Sequence, residues 1–456
     1  MTPSSATTPS EPLFWGKSIL FWLLTLALVR GVIYASVVPP WQAPDEPAQF
    51  ERVRASLSAQ EWNSEFETDP AWYDELDQSL FTFKFWDFMD SGRPQQKSHS
   101  RLSDHVALYH EIYQGLYGSR PTYALMGWPL FLTPQQNIIL QLYLVRLNTV
   151  LMNLGIIWLA YLMVRTIFPH DIFLAVGVPG LILFNPQHTH MLSTVNNGNL
   201  AELLTTAALY FTVRGIIGGF TWRNGIAILG FSVAAMWTKA TAYFLPLALG
   251  CIVLFYLWRY RRYWRWLLPA GLILAGLVFF LAPQRLILLV PDALARFGQN
   301  EIYLDPIVPQ DLFLSFWAMP GWTIFRVHPF WYQVIGWLCI LAIGGLIVGL
   351  VMRWRLFSRP EFQPKIQALA VLAVAVVVAI GILLGWNALS NNIIYRQGRS
   401  LYTVLTPISL FLMLGWRQLI PPAWRKAGLL GAITLFFLFD SLVLFGYIMP
   451  IFYSRY

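Results

Sequence analysis

The chain has 456 residues, of which 57% are hydrophobic and only 12% charged, with a mean hydropathy of +0.53. That leaves too little polar surface to coat a water-soluble globule, and continuous apolar runs of about twenty residues exclude a β-barrel, whose strands alternate over about ten. The net charge of +8 comes from short basic clusters beside apolar runs, mixed with Trp and Tyr, such as Trp258-Arg259-Tyr260-Arg261-Arg262 and Trp424-Arg425-Lys426; this is the signature of a membrane flank and argues against nucleic-acid binding.

The elements follow in chain order. Residues 1–12, rich in Ser, Thr and Pro, read as a disordered tail, and residues 13–456 as a single membrane-embedded domain. Residues 14–38 form a first span, kept uncleaved although Ala35-Ser36-Val37 weakly resembles a signal-peptide cleavage site. Residues 39–136 hold most of the acids and many prolines, and read as one large exoplasmic loop with a surface helix over 46–60. Further apolar runs follow at 138–165, 172–184, 200–213, 226–237, 242–257, 267–281, 330–351, 366–384, 401–416 and 429–449. The expected fold is therefore all-α and polytopic, with about eleven spans (ten to twelve), since several runs fall below the roughly 17 residues a span needs. The basic clusters near Arg165, Arg214, Arg259–Arg265, Arg353–Lys365 and Arg417–Lys426 are assigned to the cytoplasm, with the amino terminus inside. The loops carrying Asp45-Glu46, the Asn196–Asn199 cluster, Lys239 and Arg396–Arg399 then share the exoplasmic face of a cell (inner) membrane. Cys251 and Cys339 both lie in apolar runs, which disfavours a disulfide framework or a thiolate metal site.

The sharpest local signal is Pro39-Pro40-Trp41-Gln42-Ala43-Pro44-Asp45-Glu46-Pro47, directly after the first span. Prolines stiffen the backbone around two adjacent carboxylates at the membrane edge; helix capping by Asp45 is the structural alternative. Asn196, Asn197 and Asn199 have the same alternative at the next span. Lys239 stands between two short apolar runs, where an ionisable residue is costly unless it serves a function or reaches the interface. Arg396 and Arg399 are three apart, so a helix would put both guanidiniums on one face, a geometry that suits a phosphate. His188 and His190 are two apart and would diverge on a helix; His99, His105 and His110 lack metal-ligand spacing.

Four motifs in order carry a resemblance. A Pro-Asp-Glu-Pro first loop (Pro44 to Pro47), Phe184-Asn185-Pro186-Gln187 with Ser193-Thr194-Val195-Asn196-Asn197, Thr238-Lys239-Ala240-Thr241 with Leu245-Pro246, and Gln397-Gly398-Arg399 resemble a bacterial family of polytopic membrane proteins. That family is allied to the GT-C superfamily of membrane glycosyltransferases, which includes protein O-mannosyltransferases and aminoarabinose transferases. Gly198 stands where the family pattern usually has Asp, and Ser400 where it has Tyr. The resemblance implies a polyprenyl-phosphate-linked sugar as donor, surrounding membrane lipids, and a glycan, lipid or protein hydroxyl as acceptor. Asp45 is then the expected general base, with Glu46 orienting it or the acceptor. Arg396, Arg399 and Lys239 are the expected phosphate ligands, and Asn196, Asn197 and Gln187 the substrate contacts. No cofactor is demanded, although the acidic pair is compatible with a divalent metal. A lipid or solute transporter of the cell envelope is the alternative function; internal repeats and mid-span ions would mark it.

Overall fold

The computed structural model describes residues 13–57, 70–85, 120–133, 137–259, 305–355, 359–390 and 396–453, with 269 and 276 singly. Among these there is no β-strand. The helices are α1 (Leu13–Val37), α2 (Glu46–Leu57), α3 (Pro70–Thr82), α4 (Arg120–Gly127), α5 (Ile138–Ile167), α6 (Ile172–Leu183), α7 (Pro186–Leu192) and α8 (Asn197–Gly218). They continue as α9 (Trp222–Thr238), α10 (Phe244–Arg259), α11 (Ile307–Trp317), α12 (Pro329–Arg353), α13 (Gln363–Ser390), α14 (Leu405–Leu419), α15 (Arg425–Leu442) and α16 (Met449–Tyr453).

Six segments among the described residues are long and apolar enough to cross a membrane: Ser18–Val37, Ile138–Ile167, Asn197–Gly218, Pro329–Arg353, Pro360–Leu389 and Pro422–Tyr453. The protein is thus a helical membrane protein. The remaining expected spans are shorter helices, except that 267–281 lies outside the described residues apart from 269 and 276. The run at 172–184 folds as α6, only 12 residues long, or about 18 Å at 1.5 Å per residue against a hydrocarbon core of about 30 Å. Asp171 caps it by accepting a hydrogen bond from the Leu174 amide at 3.1 Å, and the same carboxylate pairs with Arg417 at 2.5 Å, joining α6 to the end of α14.

Local chemistry explains the breaks between helices. Asn137, Asn185, Asn196 and Thr221 each accept a hydrogen bond from a first-turn amide of the helix that follows, satisfying donors that a helix start leaves unpaired. Pro186 opens α7, where its missing N–H costs nothing. The helices α12 and α14 meet closely: a Cβ on Gly415 would stand 1.9 Å from the Ala342 carbonyl oxygen, and one on Gly345 2.1 Å from the Gly415 carbonyl oxygen. Small residues are what let helix backbones approach within a membrane. Large apolar side chains such as Trp337, Ile340, Leu341 and Val351 point away from the protein interior along α12, as a lipid-facing surface requires.

The helix over 46–60 is observed as α2, yet it does not lie on a surface. Glu46 and Gln49 are buried, and Ala48, Phe50 and Val53 belong to a second apolar cluster with Trp41, Leu76, Tyr123 and Leu142. The loop's own aromatic and aliphatic residues close over α2 at one end of the bundle.

Candidate functional site

The ends of α1 and α9, the start of α8 and the 3₁₀ turn before α14 bring four distant segments together. The first is the Pro-rich turn after α1. Arg146, fully buried on α5, donates all five of its N–H groups. Nε and Nη2 bond the two oxygens of Glu46 at 2.8 and 2.6 Å, and Nη1 and Nη2 bond the carbonyls of Ala35, Val38 and Pro39 at 2.6–3.0 Å. Those carbonyls sit at or just beyond the C-terminus of α1, where a helix leaves acceptors unpaired and where positive charge is favoured. Glu46 also accepts from the Trp41 and Val195 amides, each at 3.0 Å. Both its oxygens are therefore engaged, and it is fully buried. Glu46 belongs to the framework of the turn, and among the described residues its hydrogen bonds run to Arg146, Trp41 and Val195 and not to the Asp45 side chain.

That framework holds two non-glycine residues in left-handed backbone, Trp41 at φ 71° and Asp45 at φ 66°. Such conformations cost roughly 1–2 kcal/mol each and persist where surroundings over-determine them. For Trp41 the surroundings are the bond to Glu46, an indole N–H to Ser79 Oγ at 2.6 Å, and a carbonyl accepting from the Trp322 indole at 3.1 Å. A helix N-cap residue is ordinarily extended, so the left-handed Asp45 is not a regular cap. Its carboxylate instead pairs with Arg399, Oδ2 to Nη2 at 2.7 Å.

Arg399 is delivered by Gly398. A Cβ there would lie 2.2 Å from the Leu312 carbonyl oxygen and 2.5 Å from the Phe316 nitrogen, so only glycine lets the 3₁₀ turn Gly398–Val404 press against α11. Arg399 Nε also donates to Gln397 Oε1 at 2.5 Å. Lys239, at the end of α9, donates to Asn196 Oδ1 at 3.0 Å. The same oxygen caps α8 through the Gly198 amide at 2.8 Å, and Asn196 Nδ2 reaches the Pro44 carbonyl at 3.3 Å. Asn196 thus both caps a helix and ties Lys239 to the turn that carries Asp45. Burial, then the charge of Arg399, pushes the Lys239 ammonium down to about 7, with Asp45 opposing.

Asn196, Gly198, Lys239 and Arg399 line part of a small cavity open to one side. Gly198 faces it closely: a Cβ would meet Asn196 Oδ1 at 2.9 Å and Lys239 Nζ at 3.0 Å. The other expected site residues lie elsewhere. Arg396 falls outside the 3₁₀ turn and pairs with Asp305 at 3.0 Å, so it shares no helical face with Arg399. Gln187 is buried with its oxygen on the Met319 amide at 2.7 Å, pinning the turn after α11. Asn197 spans Gln49, Tyr123 and Thr238 as a joint between α2, α4 and α9.

Sequence reasoning passed over Arg146 and Glu202. Both are ionisable residues inside apolar runs, and that was the available signal. Glu202, on α8, lines the cavity and pairs with His188 at 2.9 Å. His190, two residues on, is fully buried and lies off the cavity lining; burial pushes its imidazole down to about 4. His99, His105 and His110 lie outside the described residues. Among those described, no three His, Cys, Asp or Glu side chains gather closely enough to hold a metal ion. No family model, curated protein or solved structure matches the chain.

Proposed function

We propose that the protein is a membrane glycosyltransferase that moves a sugar from a polyprenyl-phosphate donor to an acceptor hydroxyl at the exoplasmic face of the cell membrane. In this reading the fold is GT-C-like, and the shorter helices complete about eleven spans. The observation that carries the proposal is the pairing of a loop carboxylate, Asp45, with Arg399, which lines a cavity by the helix ends together with a second cation, Lys239.

In the proposed reaction the lipid phosphate seats on Arg399 and Lys239, and Arg399 exchanges its contact with Asp45 for the phosphate. Asp45 then takes the proton of the acceptor hydroxyl. The hydroxyl oxygen bonds to the anomeric carbon as the bond from that carbon to the phosphate oxygen breaks. The two cations stabilise the negative charge that grows on the departing polyprenyl phosphate. Glu46 and Arg146 act by fixing the turn, and Asn196 by positioning Lys239.

A transporter remains a second reading on one specific observation. Within the bundle, Arg30 pairs with Asp440, and Asp440 accepts a further hydrogen bond from Tyr34 at 2.8 Å. Buried ions of this kind line pathways in many transporters. Purified protein incubated with a panel of polyprenyl-phosphate sugars and an envelope glycan fraction distinguishes the two. Release of free polyprenyl phosphate supports transfer; movement of intact labelled lipid or solute across reconstituted vesicles, with no release, supports transport.

A further inference from the structure

The proposed chemistry uses Asp45, Arg399 and Lys239, and leaves one ionisable group of the cavity unassigned. Glu202 is only 2% exposed, and among the described residues its one side-chain hydrogen bond runs from Oε1 to His188 Nε2 at 2.9 Å. Its other oxygen has no hydrogen-bond partner among the described residues, and the residue lines the cavity. A carboxylate within an apolar helix is costly unless it is paired or serves a ligand.

The neighbouring groups indicate which ligand. Asn199 donates its amide hydrogens to the Met191 and Thr194 carbonyls at 3.0 and 2.9 Å, which leaves its oxygen as an acceptor. Tyr402 has its hydroxyl on the Phe316 carbonyl at 2.9 Å and its ring edge-to-face with His188 at 5.1 Å. It therefore brings an aromatic ring to the cavity lining. Acceptors beside an aromatic face suit a pyranose, whose hydroxyls donate and whose C–H face is apolar. Lys239 and Arg399 border the same small space and oppose a cationic ligand.

We propose that Glu202, positioned by His188, is the specificity-determining residue for the donor's sugar, accepting hydrogen bonds from the hydroxyls of a neutral hexose. This rests on the lipid-linked-sugar reading above. It adds to that reading a second carboxylate with a separate role, in which Asp45 serves the acceptor and Glu202 holds the sugar.

The test measures binding of four lipids to the full-length protein in nanodiscs. They are undecaprenyl methyl phosphate, undecaprenyl phosphoryl glucose and mannose, and undecaprenyl phosphoryl 4-amino-4-deoxypentose. The methyl diester matches the charge of the hexosyl donors and lacks the sugar. At least one hexosyl lipid is expected to bind about ten- to a hundredfold tighter than the methyl diester, the weight of one or two hydrogen bonds to a charged group. Glu202→Gln keeps the contact to His188 and is expected to remove most of that increment while leaving methyl diester affinity unchanged. Glu202→Asp, which keeps the charge and withdraws it, is expected to fall between. Arg399→Ala is expected to weaken all four lipids. A full increment surviving in Glu202→Gln, no hexosyl lipid exceeding the methyl diester, or the amino sugar binding best would each overturn the assignment of Glu202 and leave the donor reading standing. Failure of the native protein to bind any of the four would overturn both.

Discussion

Replacing Arg146 by Met keeps most of the volume of the side chain and removes every donor in the clamp. Three carbonyls near the end of α1 then lose a partner, and the buried Glu46 carboxylate keeps only the Trp41 and Val195 amides. Removing one member of a buried ion pair typically costs about 3–5 kcal/mol, because the remaining charge stays desolvated. Arg146→Met is therefore expected to lose about that much in equilibrium unfolding by SDS in mixed micelles, followed by tryptophan fluorescence. Arg146→Lys, with three donors for five acceptor contacts, is expected to lose less. Adding Glu46→Gln to Arg146→Met removes the stranded charge, so the double variant is expected to be more stable than the sum of the two single losses by about 1–3 kcal/mol. A loss under about 0.5 kcal/mol for Arg146→Met, or strict additivity in the cycle, would refute the clamp.

Gly415→Ala pushes a methyl into the Ala342 backbone and is expected to destabilise the protein by about 1–3 kcal/mol in the same unfolding assay; Gly431→Ala, which meets open space, is expected to be neutral. Gly198→Ala is expected to leave folding intact, since the atoms it meets are side-chain ends, yet to displace Lys239 and weaken donor binding several-fold. Because Lys239 titrates near 7, its charge is present below that pH and lost above it. Affinity for a polyprenyl phosphodiester sugar, which itself does not titrate there, is expected to fall as pH rises from 6 to 8, and Lys239→Arg is expected to flatten that decline. The stability effect has the opposite slope. The unfolded lysine, near 10.5, binds more protons than the folded one between about 7 and 10.5, so this group's contribution to stability rises with pH across that window.

Much of the fold was legible from apolar runs. The first run matches α1, the run at 138–165 matches α5 and that at 330–351 matches α12 within a few residues, while the run at 366–384 lies inside the longer α13. The runs at 172–184, 226–237, 242–257 and 401–416 fold as the shorter helices α6, α9, α10 and α14, because composition reports apolarity and a membrane crossing also requires length. In the site, Asp45, Arg399, Lys239 and Asn196 were legible as polar residues out of place, and they do come together. Their partners were not legible. Asp45 meets Arg399 across 354 positions of chain and Glu46 meets Arg146 across 100, distances over which no local periodicity speaks. For the same reason adjacent Asp45 and Glu46 read as one acidic pair, whereas the left-handed turn at Asp45 sends their side chains to different partners. The shared face expected for Arg396 and Arg399 assumed a helix that starts only at Gly398.

The claim that Asp45 is the base for sugar transfer meets its most direct test in Asp45→Asn, assayed by release of polyprenyl phosphate from the lipid-linked sugar. Asn preserves the size of the side chain and an oxygen for Arg399 but cannot hold the acceptor's proton. Turnover is expected to fall by about a hundredfold or more, with donor binding undiminished and thermal unfolding unchanged. Turnover at the native level in Asp45→Asn would contradict the account.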